Sequence, residues 1–158
     1  PEAQLDRFLF KLVLDYPERE EERAIVARHG HRAVMPSVQE FGLETVCNLE
    51  TIQAMRARIG EVRLEDEVLD YIVDIVRATR EHPSIRIGAS PRCGAMMARS
   101  CRAVAALDGR DYVVPDDVKA IAVPVFSHRL GLAPSAEIEG QQVSAIVRQI
   151  LEQVSAPR

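Results

Sequence analysis

Glycine is scarce in this chain of 158 residues, which contains eight glycines, no two of them adjacent. The chain therefore has no glycine-rich loop to cradle phosphate groups, and the pattern G-x-x-x-x-G-K-[ST] occurs nowhere in it. No apolar strand pattern ends in the pair of acidic residues that would hold magnesium. These absences exclude a complete nucleoside triphosphate site within the chain itself.

Aromatic residues and cysteines are also few. Aromatic residues make up 4% of the chain and tryptophan is absent, so stacking platforms for nucleobases are not expected. The net charge of −4 argues against a nucleic-acid-binding surface. Three cysteines without a C-x-x-C pair indicate reduced thiols in a cytoplasmic protein and no metal site. No apolar run reaches the roughly 18 residues of a membrane span, so none is expected.

What the sequence does contain is helical periodicity. Its 47% apolar and 28% charged residues are typical of a globular protein with a core of ordinary size. Apolar residues recur at helical spacing in several segments bounded by capping residues, glycine or proline. They predict helices at about residues 18–28, 49–59, 65–81, 91–107, 115–126 and 143–154, and a loop at 131–140. Short connections favour a mainly α fold, a helical bundle.

One segment near the N-terminus has a different pattern. Residues 8–14 are mostly apolar and are followed by Asp15, which is typical of a short strand buried on both faces. The backbone groups and apolar side chains of such a strand need a partner. We expect it to pair with an extended piece near Arg32–Met35 or with a second copy of the chain.

The segment Gly88–Arg92 places an arginine in the first turn of a long predicted helix. Ser90 is suited to cap that helix, and Pro91 suits its first position because the missing N–H would have no partner there. Free N–H groups and the helix dipole favour an anion at this end, so Arg92 is a candidate phosphate sensor. The alternative is an arginine in a surface salt bridge.

Other polar residues have structural interpretations. Cys93 and Cys101 lie on the apolar face of the same helix and are expected to pack in the core rather than to bind metal. Arg110 and Asp111 are expected to brace the turn that follows. His128 and Arg129 are predicted to lie in the last turn of a helix, where positive side chains complement the dipole.

Four segments appear together in order along the chain: the opening Pro1–Phe8, Gly88–Arg92, Arg110–Val113 and His128–Arg129. This ordered set resembles the C-terminal half of the MoxR family of AAA+ ATPases, over nearly the whole chain. The resemblance implies an AAA+ lid-type helical bundle with a short strand and helix left from the α/β ATPase core. It assigns residues 1–30 (strand 8–14, helix 18–28) to that core and 31–158 to the lid.

The resemblance also implies roles for individual residues. Arg7 matches the arginine finger, which acts on the nucleotide of an adjacent subunit, and Arg92 matches the second sensor, beside Ser90 and Pro91. The resemblance leaves open whether Arg92 acts on the nucleotide of its own subunit or on that of a neighbour. ATP and Mg²⁺ are implied for a longer parent protein, whereas this chain alone is expected to bind neither and to be inactive. The chain begins inside a motif, so we expect it to be a fragment.

The family's function implies partners as well. The parent would form a homo-oligomeric ring, expected to be a hexamer, and would use ATP for chaperone-like remodelling of a partner, often one with a von Willebrand A domain. Two alternatives remain open at this point. One is a helical nucleic-acid-binding domain that uses the helix after Pro115, and the other is a stand-alone adaptor without an ATPase parent.

Overall fold

The computed structural model of the chain describes residues 2–31 and 37–157. The fold is mainly α, as predicted. The helices are α1 (Glu2–Leu5), α2 (Arg19–His29), a 3-10 helix (Val38–Phe41), α3 (Leu49–Glu61), α4 (Asp66–Glu81), α5 (Pro91–Leu107), α6 (Pro115–Phe126), α7 (Pro134–Ile138) and α8 (Val143–Gln153). Two short strands, β1 (Ile85–Ile87) and β2 (Gly131–Leu132), form an antiparallel pair. Within the described ranges, no helix combines the length and apolar character needed to cross a membrane.

The chain divides into two compact units, one of residues 1–12 with 54–158 and one of residues 13–53. The predicted boundary at residue 30 follows the family resemblance rather than contacts, and it stays a prediction. Every buried residue of the described chain belongs to the first unit, between Val62 and Ile150.

A helical bundle built from α4, α5, α6 and α8 forms the core of the first unit. The apolar stripe of α4 buries Tyr71 and Ile75, and α5 buries Met97 beneath it. Phe126 of α6 and Ile146 of α8 complete the core with less than 3% of their surface exposed. Apolar residues spaced three and four apart thus face one interior, and the four helices predicted here are confirmed to within two residues of their ends.

The predicted loop at residues 131–140 is wrong. Gly131 and Leu132 form β2, and α7 starts at Pro134. Ile87 of β1 pairs with Gly131, where a Cβ would meet the Ile87 side chain at 3.2 Å, so a small residue lets the strands approach. Strands of two or three residues and a helix of five are too short to give a periodic signal.

The strand predicted for residues 8–14 is also absent, because this segment has no regular structure. Its apolar side chains remain exposed, from 38% for Leu9 to 90% for Leu14. No described strand lies beside it, and the one backbone-to-backbone hydrogen bond described between it and the bundle runs from Lys11 N–H to Pro124 O at 2.9 Å. The expected partner near Arg32–Met35 lies outside the described residues.

Residues 13–53 contain α2, the 3-10 helix and the start of α3. The first two of these helices each begin with a capping box, in which a glutamate side chain accepts from the backbone N–H of the N-cap residue. In α2 the backbone N–H of Glu18 donates to the carboxylate of Glu21 at 3.2 Å. Asn48 caps α3, since its Oδ1 accepts from the backbone N–H of Thr51 at 2.8 Å. The helices predicted at 18–28 and 49–59 are therefore confirmed within two residues of their ends.

Candidate functional site

The start of α5 has the geometry that the sequence predicts. Ser90 is the N-cap, and its Oγ accepts from the backbone N–H of Cys93 at 3.2 Å, while Pro91 occupies the first helical position. Arg92 is exposed, and its guanidinium has no hydrogen-bond or ion-pair partner within the described ranges 2–31 and 37–157. An unpaired cation thus stands at the positive end of a 17-residue helix, an arrangement that favours an anion.

The loop before α5 is fixed to α4 by the two residues that precede Ser90. The backbone N–H of Ala89 donates to the buried Thr79 Oγ1 at 2.9 Å, and Arg80 Nε donates to Ala89 O at 2.9 Å. Gly88 lies so close to α4 that a Cβ would come within 2.6 Å of Arg80 Cγ and 2.8 Å of its Cα. The motif therefore needs glycine for close approach, and the helix start is held by hydrogen bonds to α4.

Arg7 lies in a turn immediately after α1, where its backbone N–H donates to Gln4 O at 3.3 Å. Its side chain is exposed and, in the described part of the chain, has no partner. The neighbouring Asp6 accepts a hydrogen bond from Ser90 Oγ to its Oδ2 at 3.0 Å. This bond joins residues 84 positions apart and brings the Arg7 turn to the start of the Arg92 helix.

Arg129 binds the same turn from the other side. Its side chain is 1% exposed, and Nε donates to Asp6 Oδ1 at 3.1 Å. The two terminal guanidinium nitrogens donate to four backbone carbonyls: Asp6 O at 3.2 Å, Leu9 O at 3.1 Å, Phe8 O and Val125 O. A single guanidinium therefore holds one carboxylate and three carbonyls of the N-terminal segment.

The dipole interpretation of His128 and Arg129 is wrong. Helix α6 ends at Phe126, so both residues lie beyond its last turn. His128 Nε2 lies 2.8 Å from Phe8 O, the same carbonyl that Arg129 contacts. The two side chains recognise the backbone of the N-terminal segment through hydrogen bonds rather than the dipole of their own helix.

The end of α6 explains why this segment binds here. The last four carbonyls of a helix lack donors within it and need other partners. Lys11 N–H donates to Pro124 O at 2.9 Å, and the Arg129 side chain donates to Val125 O. Phe126 O accepts from Arg129 N–H at 2.9 Å. The N-terminal segment thus satisfies the Pro124 carbonyl, Arg129 satisfies those of Val125 and Phe126, and Ser127 N–H satisfies that of Val123.

The two-stranded sheet places these groups beside each other. Strand β1 leads into the Gly88–Ser90 loop, whereas β2 begins two residues after Arg129. Ala133 N–H donates to Ser84 O at 2.9 Å and extends the pairing. Neither strand was predicted, and without them the sequence gives no reason to place Ser90 next to Arg129.

Asp6 and Arg129 are therefore functional candidates that sequence reasoning missed. Asp6 lies inside the segment Pro1–Phe8, in which a role was predicted for its neighbour Arg7 alone. Arg129 is followed by the buried Leu130 and preceded closely by the buried Phe126, a local pattern that could have suggested a buried arginine. Its partner is 123 residues away, and spacing along the chain does not reveal such a pair.

The interpretations of Arg110 and of the buried cysteines are confirmed. Both guanidinium ends of Arg110 donate to the Asp117 carboxylate, at 2.6 and 2.9 Å, and fasten the turn before α6. Burial alone would raise the pKa of Asp117, but hydrogen bonds from Arg110 and from the backbone N–H of Val114 hold it below its ordinary value. Burial raises the pKa of Cys93 and of Cys101 to about 12, so both thiols are protonated core residues.

Two further observations concern charge and metals. A cavity of about 700 Å³ beside α5 is lined by Arg56, Arg99 and Arg102 together with Leu9 and Met96, and none of the described residues that line it is acidic. The lining is therefore positively charged in a chain whose net charge is negative. No group of three His, Cys, Asp or Glu side chains is placed to hold a metal ion in the ranges that the structure describes.

Comparisons with known proteins define the class first. Residues 77–150, which contain β1, α5, α6 and the Arg129 region, match the AAA lid domain family. A crystal structure of a protein from Cytophaga hutchinsonii that is assigned as an ATPase superposes on the whole chain with a TM-score of 0.82 and 29% identity, and the chain covers 49% of it.

Curated relatives of the chain include MoxR proteins. The chain is 34% identical over its full length to the chaperone MoxR1 of Mycobacterium tuberculosis, of which it covers 42%. It is 31% identical to the protein MoxR of Paracoccus denitrificans, with 87% of the chain and 44% of that protein aligned. An uncharacterized Bacillus subtilis protein, YeaC, is 40% identical over 99% of the chain and 48% of its own length. The chain is thus similar to the MoxR group of AAA+ proteins, and it spans about half the length of these relatives.

Proposed function

We propose that this chain is the lid-bearing part of a longer MoxR-like ATPase in which ATP binding and hydrolysis drive chaperone-like remodelling of a partner protein. The lid match, the MoxR relatives and the superposed ATPase support this proposal. The relatives are about twice as long as the chain, so the groups that hold ATP and magnesium would lie in residues outside it. When bound, Mg²⁺ neutralises charge on the phosphates.

The observation that carries the proposal is the hydrogen bond between Asp6 and Ser90. It joins two segments that each present an exposed arginine without a partner among the described residues, Arg7 one residue after Asp6 and Arg92 two residues after Ser90. Arginine stays protonated and suits phosphate oxygens. Arg7 would act as the arginine finger and Arg92 as the second sensor, with Ser90 and Pro91 shaping its helix start.

Because both arginines extend from one joined site, they would meet the phosphates of one nucleotide. Arg7 stabilises charge that develops on the transferring phosphoryl group, and Arg92 binds the phosphates at a helix N-terminus. A finger acts on the nucleotide of an adjacent subunit, so the parent would be a ring, expected to be a homohexamer in the cytoplasm. A von Willebrand A domain protein is the partner class that the MoxR resemblance implies.

The proposal is tested by ATP turnover in the full-length parent. Arg7→Ala should lower kcat by about 10³-fold or more, as for other arginine fingers, with nucleotide affinity largely kept. Arg92→Ala should also impair hydrolysis. The matched control is Arg148→Ala, which removes an exposed and unpaired arginine from α8. Wild-type turnover in both the Arg7 and Arg92 variants would show that the proposal is wrong.

The chain alone gives a second test. Without a phosphate loop it should show neither ATP turnover nor micromolar ATP affinity by calorimetry. Arg92→Ala should change its free energy of unfolding by no more than about 0.5 kcal/mol, because the side chain is exposed. Tight, magnesium-dependent ATP binding by the isolated chain would contradict its assignment as part of a longer ATPase.

A further inference from the structure

The contact between Asp6 and Arg129 has the features of a positioning device. The Arg129 side chain is 1% exposed and that of Asp6 25% exposed, so water competes little for the contact. Both Asp6 oxygens are used, Oδ1 by Arg129 Nε and Oδ2 by Ser90 Oγ. A charged, nearly buried pair with additional hydrogen bonds restricts how the two segments that carry it can be oriented relative to each other.

We propose that Asp6, Ser90 and Arg129 form a latch that fixes the turn carrying Arg7 to the start of the helix carrying Arg92. The two arginines then move as one unit and keep a set separation when the lid moves. This inference rests on the proposed function, since it explains how Arg7 and Arg92 are held for the same nucleotide. Asp6 and Arg129 are positioning residues, which act through Arg7 and do not touch the nucleotide.

The latch holds backbone as well as side chain. Arg129 binds the carbonyls of residues 6, 8 and 9, which are the residues on either side of Arg7. In the described chain, the other hydrogen bonds between this segment and the bundle are Arg129 Nε to Asp6 Oδ1, Ser90 Oγ to Asp6 Oδ2, His128 Nε2 to Phe8 O and Lys11 N–H to Pro124 O. Because Asp6 takes part in two of these bonds and Arg129 makes most of all the bonds to the segment, loss of the Asp6 and Arg129 contacts would loosen the Arg7 turn while the buried core of the bundle stays intact.

The first test compares single and double variants in the full-length parent. Asp6→Ala should lower kcat about 100-fold, the cost of misplacing a catalytic group by about 1 Å, with the KM for ATP nearly unchanged. In an Arg7→Ala background the same change should lower kcat no further, because a positioning residue acts only through the group it positions. Asp6→Asn keeps the shape and one hydrogen bond, so its loss should be smaller.

A matched control separates latch from helix capping. Ser90→Ala removes both the cap of α5 and the bond to Asp6, whereas Asn48→Ala removes only a cap, that of α3. We expect Ser90→Ala to lower kcat and Asn48→Ala to leave it close to wild type. Equal effects of the two variants on kcat would contradict the latch.

Hydrogen exchange at the Lys11 amide gives a readout independent of turnover. In Asp6→Ala this amide should exchange faster, while amides in the middle of α5 and α8 keep their protection. Unchanged Lys11 exchange together with wild-type kcat in Asp6→Ala would overturn the latch. A loss of kcat that adds fully to that of Arg7→Ala would overturn it as well, because it would indicate general destabilisation.

The two proposals fail in different ways. If Arg7→Ala keeps wild-type turnover, the finger assignment fails, and the exchange of the Lys11 amide still shows whether Asp6 holds the turn. If Arg7→Ala is inactive but Asp6→Ala has wild-type kcat and exchange, the finger stands and the latch is wrong.

Discussion

The helical bundle of residues 54–157 and the described part of residues 13–53 contrast within one chain. All buried residues of the described chain lie in the bundle helices or in the segments that connect and flank them, and α4 alone buries six. The described part of residues 13–53 buries none, and the apolar Ile25 and Val26 of α2 are 52% and 63% exposed. The stability of the chain therefore lies in the bundle, whereas α2 depends on capping and charge.

This difference teaches which helix signals decide burial. Helix α4 repeats apolar residues three and four positions apart along its whole length, whereas α2 reads REEERAIVARH and has one run of four apolar residues. Acidic residues in its first turn and basic residues in its last stabilise it through the helix dipole. Such terms contribute tenths of a kcal/mol each, against a few kcal/mol for a buried side chain.

The largest expected effect comes from matched truncations in the two regions. Phe126→Ala removes a side chain that is 0% exposed, and it should lower the free energy of unfolding by about 3–5 kcal/mol. Ile25→Ala in α2 should change it by no more than about 0.5 kcal/mol. Urea denaturation of the 158-residue chain measures both changes. Comparable decreases in the free energy of unfolding would show that the two regions contribute equally to stability, contrary to this account.

A smaller effect is expected at Asp117, whose side chain is 4% exposed and pairs with Arg110. Asp117→Asn should cost about 1–3 kcal/mol at neutral pH because it weakens a buried network. The folded pKa of Asp117 is lowered, so its contribution is present above the ordinary value of 3.8 and is lost as the pH falls towards the lowered pKa. Unfolding curves below about pH 4 should therefore be less pH-dependent in the variant than in wild type. An identical acid dependence would contradict this assignment.

Thiol labelling sharpens the comparison without altering stability. Cys47 lies in residues 13–53 and is exposed, whereas Cys93 and Cys101 lie in the bundle and are 0% exposed. At pH 8 one thiol should react rapidly in the folded chain and all three in denaturant, because burial raises the pKa of the two core thiols to about 12. Rapid labelling of Cys93 or Cys101 in the folded chain would show that the core is open. Cys47→Ser is the control, and it should abolish the fast phase.

The sequence was sufficient for the elements whose signals are local. The starts of α5 and α3 could be predicted from one capping side chain each, Ser90 and Asn48. Helices α4 and α8 could be predicted from the spacing of their apolar residues. The prediction of a buried strand at residues 8–14 failed because an apolar run is buried only where another element covers it. The strands beside Gly88 and Arg129 gave no signal because they are two and three residues long.

The candidate site shows the same limit more sharply. The helix-start motif suggested phosphate binding by Arg92, and the family resemblance suggested a role for Arg7, but nothing local indicated that their segments meet. Asp6 bonds to Ser90 and to Arg129 across 84 and 123 residues, and such pairings depend on the tertiary fold. A buried arginine can be suspected from apolar neighbours. Its acceptors are mostly backbone carbonyls, which every residue has, so the sequence does not identify them.

The central claim, that Arg7 and Arg92 of one subunit serve the same nucleotide of the adjacent subunit, is tested most directly by mixing two inactive variants of the full-length parent. Subunits with Arg7→Ala and subunits with Arg92→Ala are combined, and ATP turnover is measured in the mixed rings. If one subunit supplies both arginines to its neighbour, every interface lacks one of them, and the account predicts that turnover stays at the level of the separate variants. Substantial recovery of turnover would contradict it, because it would show that the two arginines act on different nucleotides.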